Sequence, residues 1–158
     1  MMCWKYRIFA TFCLPLCLLV VLFSASAEGG SLNSRFRTLI GSTEAQPFQL
    51  ENIVGDVRSL TDYRGQPLIV NFWFPSCPPC IEEMPEINSV YGKHKDKLDV
   101  VGIQLIGLDS VENGQKFVTE NDINYAVGPD ITGEIVVDYG VSVFPTTFFI
   151  DTKGDIFK

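Results

Sequence analysis

The sequence predicts an α/β domain, on three observations. A nearly continuous apolar run from Leu68 to Phe74 has the length and composition of a strand buried on both faces. Ile81, Met84, Ile87 and Tyr91 then recur at helical spacing. The full order is strand, helix, strand, helix, strand, which implies a right-handed parallel crossover.

Ahead of this domain, residues 1–27 read as an export signal. Lys5 and Arg7 form the positive end, Ile8 to Phe23 the apolar stretch, and Ala25-Ser26-Ala27 the cleavage site before Glu28. The alternative is an uncleaved N-terminal membrane anchor. The apolar stretch spans only about 24 Å as a helix against a hydrocarbon core of about 30 Å, and Pro15 falls inside it. Either reading delivers the domain outside the cytoplasm. Without the leader, ten basic residues face nineteen acidic ones, a net charge of −9. Such a surface repels nucleic acid. The 131 residues that remain suffice for one core but not two domains.

Residues 28–45 are small and polar, with Gly29-Gly30-Ser31 and Gly41-Ser42-Thr43, and read as a flexible linker. The domain proper is placed at 46–158. Phe48-Gln49-Leu50 and Val57 to Leu60 alternate and are separated by Asn52 and Gly55, which predicts an added β-hairpin. After the Leu68–Phe74 strand, Pro78 and Pro79 suit a first helical turn, where a missing N–H costs nothing. Pro85 is expected to kink that helix. Gly92 to Lys97 closes it with a cationic turn containing His94, read as a solvated side chain. A second strand is expected from Val100 to Leu108. Asp109 with Glu112 resembles a capping box opening a helix through Phe117 to Glu120. Ile135, Val136 and Tyr139 predict a short helix after Gly133, Phe148 to Ile150 a strand, and Asp151 to Gly154 a turn.

The chemistry lies in Cys77-Pro78-Pro79-Cys80. Of five cysteines, Cys3, Cys13 and Cys17 fall in the leader, leaving Cys77 and Cys80 in the folded part. A bridge across two residues closes almost no loop, so a stapling disulfide gains little here. Structural zinc needs a second ligand pair, and after Cys80 there is only His94. Redox exchange is the remaining use of two thiols one helical turn apart.

With these residues in view the chain resembles the TlpA/ResA-like branch of the thioredoxin superfamily, exported bacterial thiol-disulfide oxidoreductases. The resemblance runs from about Pro47 to the end. It rests on Leu60-Thr61-Asp62-Tyr63-Arg64-Gly65-Gln66-Pro67, Val70-Asn71-Phe72-Trp73, Cys77-Pro78-Pro79-Cys80, Glu83-Met84-Pro85 and Gly140 to Asp151. It implies a thioredoxin-like fold, a central mixed sheet flanked by helices, and a cis Phe144–Pro145 bond beside the dithiol on a loop that pairs with substrate. On its residues alone Pro145 reads as an ordinary proline at the start of a strand. Two departures stand out. Ser76 occupies the place before the first cysteine where the family often has an aromatic residue. The chain also stops as a further strand begins at Ile156, whereas family members continue through that strand and a closing helix, so a C-terminal truncation is expected.

Cys77 sits at a helix N-terminus, where unsatisfied N–H groups favour a thiolate, and is the expected attacking cysteine. Cys80 is the resolving thiol. Its proton needs an acceptor, and thioredoxins proper carry a buried Asp where this chain has Asn71, an amide expected to hold nearby backbone. Glu83, three residues beyond Cys80 on the same helix face, is the candidate acceptor. Spacing alone equally allows a solvated first-turn carboxylate, and the resemblance favours the functional role. Trp73 either walls the site or is a core aromatic, and Phe144 and Pro145 are the remaining substrate-binding candidates.

No cofactor is implied beyond the Cys77/Cys80 pair. No histidine lies between the cysteines, so less thiolate stabilisation and a reducing role are expected. Electrons would come from a membrane thiol reductase, as the resemblance implies. The clients open to it are proteins whose cysteines must stay reduced, apocytochrome c before haem attachment among them. An oxidase or isomerase would use the same residues at higher potential. A peroxiredoxin would need Pro-x3-Thr-x2-Cys, which is absent around Cys77. A Cu(I)-binding module would use the two soft thiolates but normally adds a histidine that His94 is poorly placed to supply.

Overall fold

In the computed structural model, residues 44–53 and 56–157 are described. The leader, and the linker up to residue 43, lie outside them. The last two residues read as linker, Glu44 and Ala45, are tied to the domain. Glu44 bridges to Asp155, and the Ala45 N–H donates to the Gly154 carbonyl at 2.8 Å.

Strands β1 (Gln49–Glu51) and β2 (Val57–Ser59) pair antiparallel as the expected hairpin. A 3₁₀ turn, Leu60–Tyr63, leads to β3 (Leu68–Trp73). Helix α1 (Pro78–His94) follows, then β4 (Asp99–Leu105), α2 (Val111–Glu120), β5 (Ala126–Asp130), α3 (Glu134–Asp138) and β6 (Thr146–Ile150). The second sheet has the order β5-β4-β3-β6, with β3, β4 and β5 parallel and β6 antiparallel to β3. This is the mixed sheet that the resemblance implies.

Because side chains alternate along a strand, β3 feeds two separate cores. Leu68, Val70 and Phe72 face the hairpin, the 3₁₀ turn and α3, where they meet Phe48, Leu50, Tyr63, Val136 and Tyr139. Trp73 faces the other way, against Met84 and Ile87 of α1, with Phe117 of α2 packed onto the same cluster. Asn71 lies on that second face and is as buried as its apolar neighbours. The apolar run of β3 therefore reflects burial on both sides, as continuous runs do in α/β sheets.

Three local expectations change. Strand β4 ends at Leu105, and Leu108, placed in it by its apolar character, is 65% exposed. The N-cap of α2 is Ser110, whose hydroxyl accepts from the Asn113 N–H at 3.2 Å, so the capping register lies one residue later than Asp109. Strand β5, Ala126-Val127-Gly128-Pro129-Asp130, was not anticipated, because Gly, Pro and Asp all weaken a strand signal. It forms at an edge whose outer side the hairpin covers. The Ile53 N–H donates to the Val127 carbonyl at 2.8 Å, and Asn52 Oδ1 accepts from the Val127 N–H at 3.2 Å. Helix α1 continues through Pro85, and His94 is exposed in its last turn.

Candidate active site

The carboxyl end of β3 delivers the chain to α1 through Phe74-Pro75-Ser76, and Cys77 is the N-cap of that helix. Pro78 and Pro79 occupy its first positions, where their fixed φ suits a helix start. The helical turn brings Cys80 back to Cys77, with Cα atoms 5.2 Å apart and the sulfurs joined in a disulfide. The Cys80 N–H donates to the Cys77 carbonyl at 3.0 Å and also to Cys77 Sγ at 3.3 Å, so a first-turn helix N–H already points at the sulfur expected to carry negative charge. Cys77 is 4% exposed and Cys80 fully buried, which makes Cys77 the residue nearer to solvent.

Glu83 sits one turn beyond Cys80, half-buried, between helix and sheet. Its carboxylate is held at both oxygens. Asn71 Nδ2 donates to Glu83 Oε2 at 3.3 Å and to Thr147 Oγ1 at 2.9 Å, and the Thr147 hydroxyl donates to Glu83 Oε1 at 3.2 Å. Asn71 and Thr147 are cross-strand partners in β3 and β6, so the sheet presents both donors at one register position. Asn71 thus binds two side chains rather than the backbone expected of it. Thr147 was missed altogether, and its signal was its position two residues after Pro145. Burial, and then the Glu83 charge, push the Tyr125 hydroxyl above its ordinary range, which sets that tyrosine in the same electrostatic neighbourhood.

The Phe144–Pro145 peptide is cis. Its loop packs on the cysteine-bearing segment through Phe144, whose ring meets Phe74 edge-on at 5.3 Å, and Phe144 also contacts the cluster containing Cys77 and Cys80. Phe144 and Pro145 are both partly exposed. Trp73 differs. It is fully buried and packs at 5.2 Å on Phe117, so it supports the site from beneath and has no surface for a substrate. That corrects its placement among the substrate-binding residues; a strand-end aromatic next to the motif gives no sign in sequence of which way it turns.

The geometry therefore offers a redox pair at a helix N-terminus, a carboxylate fixed behind the inner sulfur, and a partly exposed aromatic and proline loop in front. The chain as a whole is similar to known thiol-disulfide oxidoreductases. The AhpC/TSA family model matches residues 42–158. A thiol-disulfide oxidoreductase ResA of Bacillus thuringiensis subsp. konkukian is 36% identical over 118 residues, 73% of this chain and 66% of that protein. The chain thus spans just under two thirds of that relative. The ResA of Bacillus anthracis is 32% identical over 146 residues, covering 87% of this chain and 82% of that protein. Among solved structures, a secreted Mycobacterium tuberculosis disulfide oxidoreductase homologous to DsbE of E. coli superposes with a TM-score of 0.63 at 27% identity, covering 69% of this chain and 79% of that one.

Proposed function

The chain belongs to the AhpC/TSA family, and we propose that it is an exported thiol-disulfide oxidoreductase that reduces protein disulfides through Cys77 and Cys80. The observation that carries this reading is the pair itself: Cys77 caps α1, the Cys80 N–H bonds its sulfur, and Glu83 is tied one turn behind.

The reduced protein begins the reaction. The Cys77 thiolate attacks one sulfur of a client disulfide, forming a mixed disulfide and expelling the other client sulfur, which takes up a proton. Glu83, directly or through water, accepts the Cys80 proton. The Cys80 thiolate then attacks Cys77 Sγ, forming the intramolecular disulfide and releasing the second client thiolate. The client gains two electrons and the protein is left oxidised, in the form with Cys77 and Cys80 bonded. A membrane thiol reductase returns two electrons and two protons.

Export is supported by the apolar leader at 1–27 and by the secreted Mycobacterium tuberculosis relative. The reducing direction is supported by the Pro78-Pro79 dipeptide, which places no cation between the cysteines. Clients are extracytoplasmic proteins with oxidised cysteine pairs, with apocytochrome c as a candidate. The loop of Phe144 and Pro145 is the surface they would meet.

Equilibration of the Cys77/Cys80 pair with glutathione tests the direction. A potential near the thioredoxin end, about −270 mV, is expected; one near about −120 mV would make the protein a disulfide donor instead.

A further inference from the structure

Thr146 and Thr147 stand side by side in β6 and, because side chains alternate along a strand, face opposite sides of the sheet. Thr147 holds Glu83, whereas the Thr146 hydroxyl donates to the Val143 carbonyl at 2.7 Å. That bond closes the loop in front of the dithiol. Among the described residues no backbone–backbone hydrogen bond reaches Ser142, Val143 or Phe144, and the Thr146 hydroxyl is the side-chain group that bonds to this stretch. Ser142 is exposed, and Val143 is 69% exposed. The other anchor of the loop is the Phe144 ring, which packs on Phe74 and against the cluster holding Cys77 and Cys80. The loop thus brings unpaired N–H and carbonyl groups beside the dithiol, and one hydroxyl fixes how they point.

We propose that Thr146 is a positioning residue for client capture, its hydroxyl holding the Val143 carbonyl, and with it the peptide groups of Val143 and Phe144, in the orientation in which an extended client segment pairs with them while its disulfide lies against Cys77. The proposal rests on the reading of the protein as a reductant of protein disulfides. Unpaired N–H and carbonyl groups at an exposed edge are what an extended chain pairs with. A loop ordered beforehand spares the encounter the entropy of ordering it. Threonine suits the task, because its branched Cβ leaves few χ1 wells and keeps the hydroxyl on the carbonyl. Thr146 is the cross-strand partner of Phe72 and shares its face, whereas Thr147 pairs with Asn71 on the face of Glu83. Thr146 therefore has no route to the Cys80 proton. Its effect falls on the attack of Cys77 on a client that has a backbone to pair.

Two disulfides test it on the reduced full-length chain: a disulfide-linked pair of short unstructured peptides, and hydroxyethyl disulfide, which has no peptide backbone. Stopped-flow mixing gives the second-order rate for each, and the ratio of the peptide rate to the hydroxyethyl disulfide rate cancels any change in the Cys77 thiol itself. Thr146→Val keeps the branched shape and loses the donor. It is expected to lower that ratio about two- to fivefold, the lower part of what one neutral hydrogen bond is worth, because solvent reaches this one. Thr146→Ser keeps the hydroxyl and should restore the ratio. If Thr146→Val folds poorly, Thr146→Ala set against Thr146→Ser makes the same comparison. An unchanged ratio in the variant without a hydroxyl, or an equal fall in Thr146→Ser, overturns the role of Thr146 alone. A wild-type chain that reduces the peptide disulfide no faster than Cys77→Ala overturns the functional reading as well.

Discussion

The Thr147 hydroxyl donates to Glu83 Oε1 at 3.2 Å, joining β6 to α1 one turn beyond the buried sulfur of Cys80. Asn71 completes the link from β3. A carboxylate on a helix surface samples several rotamers, and two sheet-borne donors hold this one in a single orientation. If Glu83 accepts the Cys80 proton, its service depends on that orientation. Replacing Thr147 by Val removes one hydrogen bond to a charged group. For a half-buried pair this is worth about 1 kcal/mol, below the about 1.5–3 kcal/mol of a fully buried charged partner because solvent screens it, and corresponds to a several-fold slower resolving step. Thr147→Ser keeps the hydroxyl and should restore the rate. Stopped-flow decay of a preformed mixed disulfide measures it, and equal rates in Val and Ser variants would remove Thr147 from the mechanism.

Glu83→Gln keeps the shape of the side chain and loses the proton acceptor. Resolution should slow near neutral pH, by the 10²- to 10⁴-fold typical of general-base loss at most, and the deficit should shrink as rising pH ionises Cys80 without help. A pH–rate profile parallel to that of the wild type would leave Glu83 as a structural carboxylate.

The two cysteines should separate cleanly. Cys77→Ala removes the thiol of the more exposed cysteine and should abolish exchange. Cys80→Ala leaves an attacking thiol with nothing to resolve it and should accumulate mixed disulfides, visible on non-reducing gels. Equal residual turnover in both variants would contradict the assigned roles.

How much of this was legible beforehand depended on whether a residue's signal is local. The β3 run, the hairpin, the α1 periodicity and the helix-capping position of Cys77 follow from neighbours in sequence, and all appear where expected. Strand β5 was not legible, because what makes Gly128-Pro129-Asp130 a strand is its pairing with β4 and the cover of Asn52 and Ile53, more than seventy residues earlier. The site divides the same way. Glu83 lies one turn from Cys80, so spacing made it a candidate that the resemblance favoured, whereas Thr147 reaches it only across the sheet. Asp109 was assigned to a helix cap from its spacing to Glu112, a role that Ser110 takes.

Two buried tyrosines should respond differently to loss of their hydroxyls. Tyr139 donates to the Gln46 carbonyl at 2.8 Å, so Tyr139→Phe should cost about 1 kcal/mol. The Tyr63 hydroxyl is buried without a hydrogen-bond partner among the described residues, and Tyr63→Phe should be neutral or slightly stabilising. Burial raises the Tyr63 hydroxyl from 10.0 to about 12. The unfolded chain therefore ionises first as pH rises. The stability linked to Tyr63 is full below pH about 10 and is lost progressively toward pH about 12. Urea titrations across that window should show a shallower decline in Tyr63→Phe than in the wild type.

Gly128 tests whether the hairpin is part of the fold or an ornament on it. A Cβ at that position would collide with the Glu51 carbonyl and lie 2.7 Å from Leu50 Cγ, because β1 crosses directly over β5. The obstacle is backbone and a buried leucine, so neither can step aside cheaply. Gly128→Ala should therefore destabilise the domain by about 1–3 kcal/mol, the usual cost of overpacking. Gly114→Ala provides the contrast, since its Cβ would meet the amide end of the Gln104 side chain, which can rotate away at the cost of its 2.8 Å bond to the Ser110 carbonyl. Denaturant midpoints should rank wild type above Gly114→Ala and that above Gly128→Ala. The glutathione equilibrium of Cys77 and Cys80 in the folded fraction should be the same in wild type and Gly128→Ala, because β1 packs on the β5 edge and the dithiol lies at the carboxyl end of β3. A Gly128→Ala variant as stable as the wild type would mean that β1 and β5 separate without cost, and the hairpin would then contribute nothing to the core it covers.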